Sequence, residues 1–378
     1  MPGPDTVLDR RTLNRTLLER QGLLRRESRP VRDVVEHLVG LQAQEPQNPF
    51  VALWNRLDPL DPAELDRLML DRAIVRTTAM RTTLHLVTAD DAISLRPLFA
   101  PVLARTLQSQ RQFRLGLEGL DLDELAAFGA RHLGAEPMSA SQLRPMLAER
   151  WPDRDPSVLM AGIRYLLPLV QVPPRGLWRR SRQPILTTVE AWLGQAPASD
   201  GDVEALVLRY LRAFGPASTA DARTWSWLTN LAPVVARIRP NLRTFRDESG
   251  RELLDVPDGP IVDRDVPAPP RFLPEFDNVF LSHADRSRIV ELPLDLERYA
   301  RGTLLVDGFI AAGWRILQEQ GVAVLQIGTF RDLTDAELSA VEAEAEALLA
   351  FVAPDATRRE IRRTSTPQRA ATDRPPDG

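Results

Sequence analysis

The chain has 378 residues, 43% of them hydrophobic and 26% charged, with a net charge of −4 and no cysteine. That excludes disulfides, thiolate metal sites and thiol nucleophiles. No apolar run approaches the ~18 residues needed to cross a bilayer, and the N-terminus lacks the basic-then-apolar order of a signal peptide. A cytoplasmic protein of two to four units, with no membrane association, is expected.

Residues 7–22 read as a first helix. Residues 30–40 read as a second, with Val31, Val34, Val35 and Leu38 on one face. The stretch Leu41-Gln42-Ala43-Gln44-Glu45-Pro46-Gln47-Asn48-Pro49 follows, then helices at about 48–57 and 62–71. Residues 74–77 and 83–87 are rich in β-branched residues and read as paired strands. A long helix is expected over about 89–114. Helices at 121–133, 139–149 and 155–168 precede a hairpin formed by 170–172 and 177–179. Helices at 201–214, 218–228 and 232–239 precede another, formed by 241–245 and 251–255. Each unit has the helix–helix–helix–hairpin order of a winged helix. From residue 267 the chain changes to short β runs, at 272–274, 279–282, 303–309, 313–316 and 322–327, which read as a small antiparallel sheet or barrel. Thr334 and Glu337 form a capping box for a helix from about 334 to 352. The tail from about 353 is rich in Arg, Thr and Pro and reads as disordered.

Gln42 and Gln44 stand two residues apart. A helix would point them roughly 200° apart, whereas an extended segment puts both on one side. Gly40 loosens the preceding helix, and Pro46 pushes Glu45 out of the helical region, so the extended form is favoured. From spacing alone, a polar helix end with solvated glutamines stays open as the alternative to a converging pair.

The four histidines, His37, His85, His132 and His283, form no close pair, so no metal site is expected and no cofactor is called for. No glycine-rich phosphate loop appears. What stands out is arginine on hairpins. Arg76 and Arg81 flank the first hairpin turn. Arg175, Arg179, Arg180 and Arg182 crowd the second, with Trp178 among them. His283, Arg286 and Arg288 follow the expected strand at 279–281. Basic wings with an interleaved aromatic suit phosphate contact, and arginine suits bidentate contact. His85 faces away from Leu84 and Leu86. A structural role and a DNA contact both fit it; we count it with the DNA-facing residues.

Four segments carry a resemblance. They are Gly40-Leu41-Gln42-Ala43-Gln44-Glu45-Pro46, Met80-Arg81-Thr82-Thr83-Leu84-His85-Leu86-Val87, the run from Leu273-Pro274-Glu275-Phe276-Asp277-Asn278 to Arg286, and Val306-Asp307-Gly308-Phe309 with Gly313-Trp314. In this order they resemble the AlkZ/YcaQ family of winged-helix alkylpurine DNA glycosylases. The resemblance implies an α+β chain with three tandem winged-helix units (5–115, 116–198 and 199–265). A β-barrel domain with a C-terminal helix (266–352) and a disordered tail (353–378) would follow. It also implies cleavage of the N-glycosidic bond of cationic N7-alkylated purines in double-stranded DNA, including unhooking of interstrand crosslinks, by a monomer. Gln42-Ala43-Gln44 matches the AlkZ-like signature rather than the YcaQ-like one, which ends in Asp. Glu275 stands where the YcaQ-like motif has proline. The resemblance makes Gln42 and Gln44 the catalytic pair.

Two amides suit that chemistry. An amide is no general base near neutral pH, but it accepts and donates hydrogen bonds. N7-alkylation lets the purine leave as a neutral species, so the remaining work is to position water and stabilise an oxocarbenium. Acid–base help, typically ~10²–10⁴-fold, can be forgone only for such an activated bond. All 48 cationic residues are arginine, so no side-chain amine can form the Schiff base of a strand-nicking glycosylase. A non-catalytic DNA-binding protein, a regulator or lesion-shielding protein, is the competing expectation.

Overall fold

The computed structural model describes residues 6–291, 302–319 and 321–364. The expectations for residues 1–5 and for the tail from 365 lie outside them. The described residues form a mixed α+β arrangement on three sheets. Local chemistry sets the helix starts. The Asp9 carboxylate accepts from the Thr12 amide at 2.7 Å and opens Arg10–Arg20. Reciprocal caps at Ser139/Gln142, Ser218/Asp221 and Thr334/Glu337 open Ala140–Arg150, Thr219–Ser226 and Asp335–Val352. The long helix expected over 89–114 is three, Ala89–Ser94, Arg96–Ser109 and Arg111–Gly116. Gln110 is extended between the last two, and Pro97 removes a backbone donor just after the first break.

The hairpin Ile74–Thr78/Leu84–Thr88 forms as expected and becomes the centre of a six-stranded sheet. Leu41–Gln42 adds to one side of it. On the other side come Leu169–Gln171, Ile185–Thr188 and Met138–Ser139. The second hairpin differs from the sequence expectation: Leu169–Gln171 pairs with Ile185–Thr188, and residues 177–179 are not a strand. Pro173 and Pro174 carry no N–H for an immediate return ladder. Trp178 packs on Phe50 at 4.8 Å and on Phe351 at 4.9 Å. The hairpin Arg243–Asp247/Glu252–Asp255 forms as expected, and Val7–Leu8 joins it in parallel. Beside it lies the largest core cluster, where Tyr210, Phe214 and Trp225 meet Leu17, Leu18, Met80 and Phe99.

The C-terminal part corrects three expectations. The β-barrel is an open five-stranded sheet with Arg271–Leu273 at one edge and Arg358–Thr364 at the other. The helix Asp335–Val352 explains why closure is not needed. Its Val341, Ala345, Leu348 and Leu349 cover the apolar face that Phe272, Leu304, Ala312, Trp314 and Leu325 present, and a sheet needs only one such cover. Residues 279–281 are not a strand but belong to a short helix, Asn278–Leu281, whose cap is Asp277. The capping carboxylate and its buried bidentate pair with Arg56, at 2.8 Å for both contacts, outweigh the β-branched composition. The tail does not become disordered at 353: Arg358–Thr364 pairs in parallel with Val322–Gly328. No helix among the described residues is long and apolar enough to cross a membrane.

Candidate active site

The Gln42 segment is an edge strand, fixed by its pairing with Leu84–Thr88. Gly40, at φ +94°, brings it close to Leu84–Thr88; a Cβ there would lie 2.8 Å from the Leu86 carbonyl oxygen. Ladder pairing sets Leu41 against Leu86 and Gln42 against His85. The Ala43 amide continues the ladder to the Leu84 carbonyl at 2.7 Å. Leu41 and Ala43 are buried in one core cluster with Val34, Phe50 and Leu86. Strand alternation then turns Gln42 and Gln44 to the opposite face. The small apolar residue between the glutamines is thus an anchor.

The backbone of the segment is held from three sides. Arg76, 1% exposed, donates from Nε to the Ala43 carbonyl at 2.9 Å and from Nη2 to the Gln44 carbonyl at 3.1 Å. Its Nη1 donates to Gln171 Oε1 at 2.5 Å. Asn278 Nδ2 donates to the Gly40 carbonyl at 2.8 Å, and Asn48 Nδ2 to the Glu275 carbonyl at 2.9 Å. The run from Leu273 to Arg286 therefore braces the glutamine segment. Gln47 receives the Arg179 amide on Oε1 at 2.8 Å and donates to the Leu177 carbonyl at 3.0 Å.

Gln42, 8% exposed, accepts at Oε1 from Arg81 Nη2 at 3.0 Å. The same nitrogen lies 3.3 Å from His85 Nε2, while Arg81 Nη1 donates to the Trp225 carbonyl at 2.6 Å. Arg81 stands in the left-handed region at φ 54°, and Thr82 beside it at 59°. Two consecutive non-glycine residues there are strained. The strain is held by Met80, which is buried in the cluster containing Trp225. Burial lowers the Arg81 pKa to about 10, which leaves it charged at neutral pH. Burial and the Arg81 charge push the His85 pKa down to about 3. The neutral ring donates from Nδ1 to the Thr83 carbonyl at 3.0 Å and presents the Nε2 lone pair to Arg81.

Gln44 is exposed. Its Oε1 lies 3.4 Å from the Leu84 amide, a long contact. It opens onto a cleft of about 230 Å³. Its lining combines apolar Leu84, Phe113, Leu169 and Leu186 with polar Thr78, Thr82, Arg164, Tyr165 and Gln171. Among the described residues, no carboxylate or imidazole lines it. Among the described residues, no cluster of His, Asp and Glu could hold a metal ion.

The arginines expected on the DNA face separate into two groups. Arg76 is buried and turned inward. Arg288 is buried, donating to the Pro216 carbonyl at 3.1 Å. His85 is buried, and so is His283, which donates from Nε2 to the Phe214 carbonyl at 3.1 Å. Burial and the nearby Arg288 charge lower the His283 pKa. Arg286 is half-buried over the Phe280 ring at 4.4 Å. Arg175 is half-buried and donates to the Arg182 carbonyl at 2.6 Å. Arg179 and Arg180 are exposed, Arg179 paired with Asp355. Sequence reasoning missed Arg164 and the tyrosine next to it, Tyr165, both at the cleft. They sit on a helix, Pro156–Leu166, and nothing in its pattern marks them. It also missed Asn278, although that residue lies inside a matched segment.

A family model described as DNA glycosylase AlkZ-like matches residues 35–351. Among solved structures, the Streptomyces sahachiroi DNA glycosylase AlkZ is similar in fold, with a TM-score of 0.76 at 20% identity. The match covers 95% of this chain and 100% of that one. No curated protein matches the chain.

Proposed function

Since the chain belongs to the AlkZ-like DNA glycosylases, we propose that it hydrolyses the N-glycosidic bond of cationic N7-alkylated purines in double-stranded DNA, with Gln42 and Gln44 as its catalytic pair. The carrying observation is the cleft beside Gln44, lined among the described residues by amides, hydroxyls, a guanidinium, the Tyr165 phenol and apolar groups, with no carboxylate or imidazole. Such a cleft can position water and stabilise charge, but it offers no carboxylic acid or imidazolium to protonate a neutral leaving base. An N7-alkylated purine needs no protonation, because it departs as a neutral molecule.

The two glutamines divide the work. Gln42 Oε1 already accepts from Arg81, so its amide is fixed and polarised. An amide oxygen has a second lone pair, and this one is directed to the attacking water. Gln44 is exposed at the cleft. Its amide oxygen faces the sugar as positive charge develops there. The Arg81 guanidinium is engaged by Gln42, the Trp225 carbonyl and His85 rather than by substrate. Arg81 is thus a positioning residue. Unhooking of interstrand crosslinks belongs to the same reading, as does the assignment of residues 5–115, 116–198 and 199–265 to winged-helix units of a monomer. The chain contains no lysine, which supports a monofunctional enzyme that leaves an abasic site; borohydride trapping should give no covalent adduct.

The deciding assay uses DNA carrying N7-methylguanine. Wild type should release the base, and Gln42→Ala or Gln44→Ala should slow release by at least ~10²-fold while DNA binding persists. Absence of release by wild type from any cationic lesion would sink the proposal.

A further inference from the structure

Trp227 is 48% exposed and ends the helix Thr219–Ser226 in the left-handed region at φ 61°. Glycine is the usual residue at that position of a helix end, because it has no Cβ to clash. Here the largest side chain occupies it. The indole makes no ring contact, and its Nε1 no hydrogen bond, among the described residues. Its neighbours Trp225, Ser226 and Leu228 are all buried. The backbone is held in place: the Trp227 amide donates to the Arg223 carbonyl at 2.8 Å, and Arg105 Nη2 donates to the Trp227 carbonyl at 3.3 Å. Arg105 Nη1 also holds Thr229 Oγ1 at 2.8 Å. A strained backbone that presents a half-exposed aromatic ring without a ring partner serves no stability purpose visible in the fold.

Its location gives it one. Arg81 donates one nitrogen to the Trp225 carbonyl and the other to Gln42 Oε1. A single guanidinium therefore separates the turn bearing Trp227 from the fixed glutamine. Arg105, exposed, holds the Trp227 carbonyl, and Arg223, also exposed, lies one helical turn before Trp227, so cations for phosphates are available at the same helix end.

We propose that the Trp227 indole stacks into duplex DNA at the base step beside the damaged nucleotide and props it open, so that the glycosidic bond reaches Gln42 and Gln44. The occupant is the π-face of a base, which an exposed indole recognises without sequence preference. The inference rests on the reading of the glutamine pair as catalytic.

The test uses the full chain and a duplex with 2-aminopurine next to a single N7-methylguanine. In a Gln44→Ala background, binding should raise 2-aminopurine fluorescence, because the neighbouring base is unstacked. Adding Trp227→Ala or Trp227→Gly should abolish most of that rise. In the otherwise wild-type protein each should slow base release about tenfold, as loss of one stacking contact implies. Trp227→Phe should retain both signals. Trp227→Gly should keep or raise Tm, since glycine suits the left-handed backbone. Unchanged fluorescence and release in Trp227→Gly overturns the proposal, and so does a Tm lowered by several degrees, which would make the indole part of the fold. If Gln44→Ala still releases base at the wild-type rate, the catalytic reading fails instead. The fluorescence signal would still report stacking on its own terms.

Discussion

Two arginine-bearing turns of the same sheet look alike in sequence and behave oppositely in structure. Around the first hairpin, Arg76 and Arg81 turn inward. Their guanidiniums are consumed by the carbonyls of Ala43, Gln44 and Trp225 and by the side chains of Gln42 and Gln171. In the loop after Leu169–Gln171, Arg179 and Arg180 turn outward. The difference lies in the acceptors. Bare carbonyls at the edge of a bent strand need donors when buried, and a planar guanidinium satisfies two or three at once. An arginine on a turn is a phosphate contact only where the surrounding backbone has left it unemployed. The first turn organises the glutamines; the second is available to a polyanion.

The largest effect is expected from removing the inward cation that holds Gln42, in the proposed catalytic pair. Arg81→Met takes the donor from Gln42 Oε1 and from the Trp225 carbonyl. Freeing the Gln42 amide to rotate should lower kcat for N7-methylguanine release by about 10²-fold, the typical consequence of a misplaced catalytic group. KM should move little, because the cleft walls are untouched. A merely structural role for Arg81 would instead show as loss of stability, about 1–3 kcal/mol for an orphaned buried acceptor, with kcat preserved in the folded fraction. Arg81→Lys should recover only part of kcat, since one ammonium cannot span both acceptors.

How much of this was legible beforehand depends on where the acceptors lie. The first hairpin, the capping box of Thr334 and Glu337 and the extended form of Leu41-Gln42-Ala43 follow from local signals, and the structure has them. The inward direction of Arg76 and Arg81 does not, because their partners Gln171 and Trp225 stand 95 and 144 residues away in sequence. Local pattern also cannot say whether a sheet closes. The β runs after residue 267 read the same for a barrel and for the open sheet, and only the helix Asp335–Val352 lying across one face decides. Asp277 likewise turned an apparent strand into a helix by pairing with Arg56, which no β-propensity records. Gln42 and Gln44 were readable as a pair on one face, but their unequal exposure was not: it follows from the ladder reaching Ala43 and ending before the cleft.

A smaller effect separates the two turns by pH. His85 is neutral in the folded chain, its pKa lowered from 6.5 to about 3. The unfolded chain takes up a proton as pH falls through 6.5, while the folded one does not until about 3. The unfolded state therefore binds more protons across that window, and stability falls on acidification. From pH 7 to pH 5 the loss from this ring is about 2 kcal/mol. His283 is buried with a lowered pKa as well, so the proper comparison is between wild type and His85→Asn. The variant should show a shallower fall of stability between pH 7 and 5 in denaturant melts. Equal slopes would mean that the imidazole is not held neutral, and that Arg81 has another partner in solution. No such slope is expected from substitutions in the loop at 173–182.

The outward arginines should give the smallest change, and a different kind. Arg180 makes no hydrogen bond or ion pair through its side chain among the described residues, whereas Arg179 is paired with Asp355. If this loop meets the DNA backbone, Arg180→Ala should weaken binding to damaged and undamaged duplex alike and reduce the salt dependence of log K by about one unit. Arg179→Ala should do less, because Asp355 already neutralises much of its charge; Asp355→Asn should raise affinity by freeing it. Base release at saturating enzyme should be unaffected by all three. Should Arg180→Ala leave the salt slope unchanged, the loop lies off the DNA path, and the cations that hold the backbone must be sought nearer the cleft, at Arg164 and at Arg105 beside Trp227.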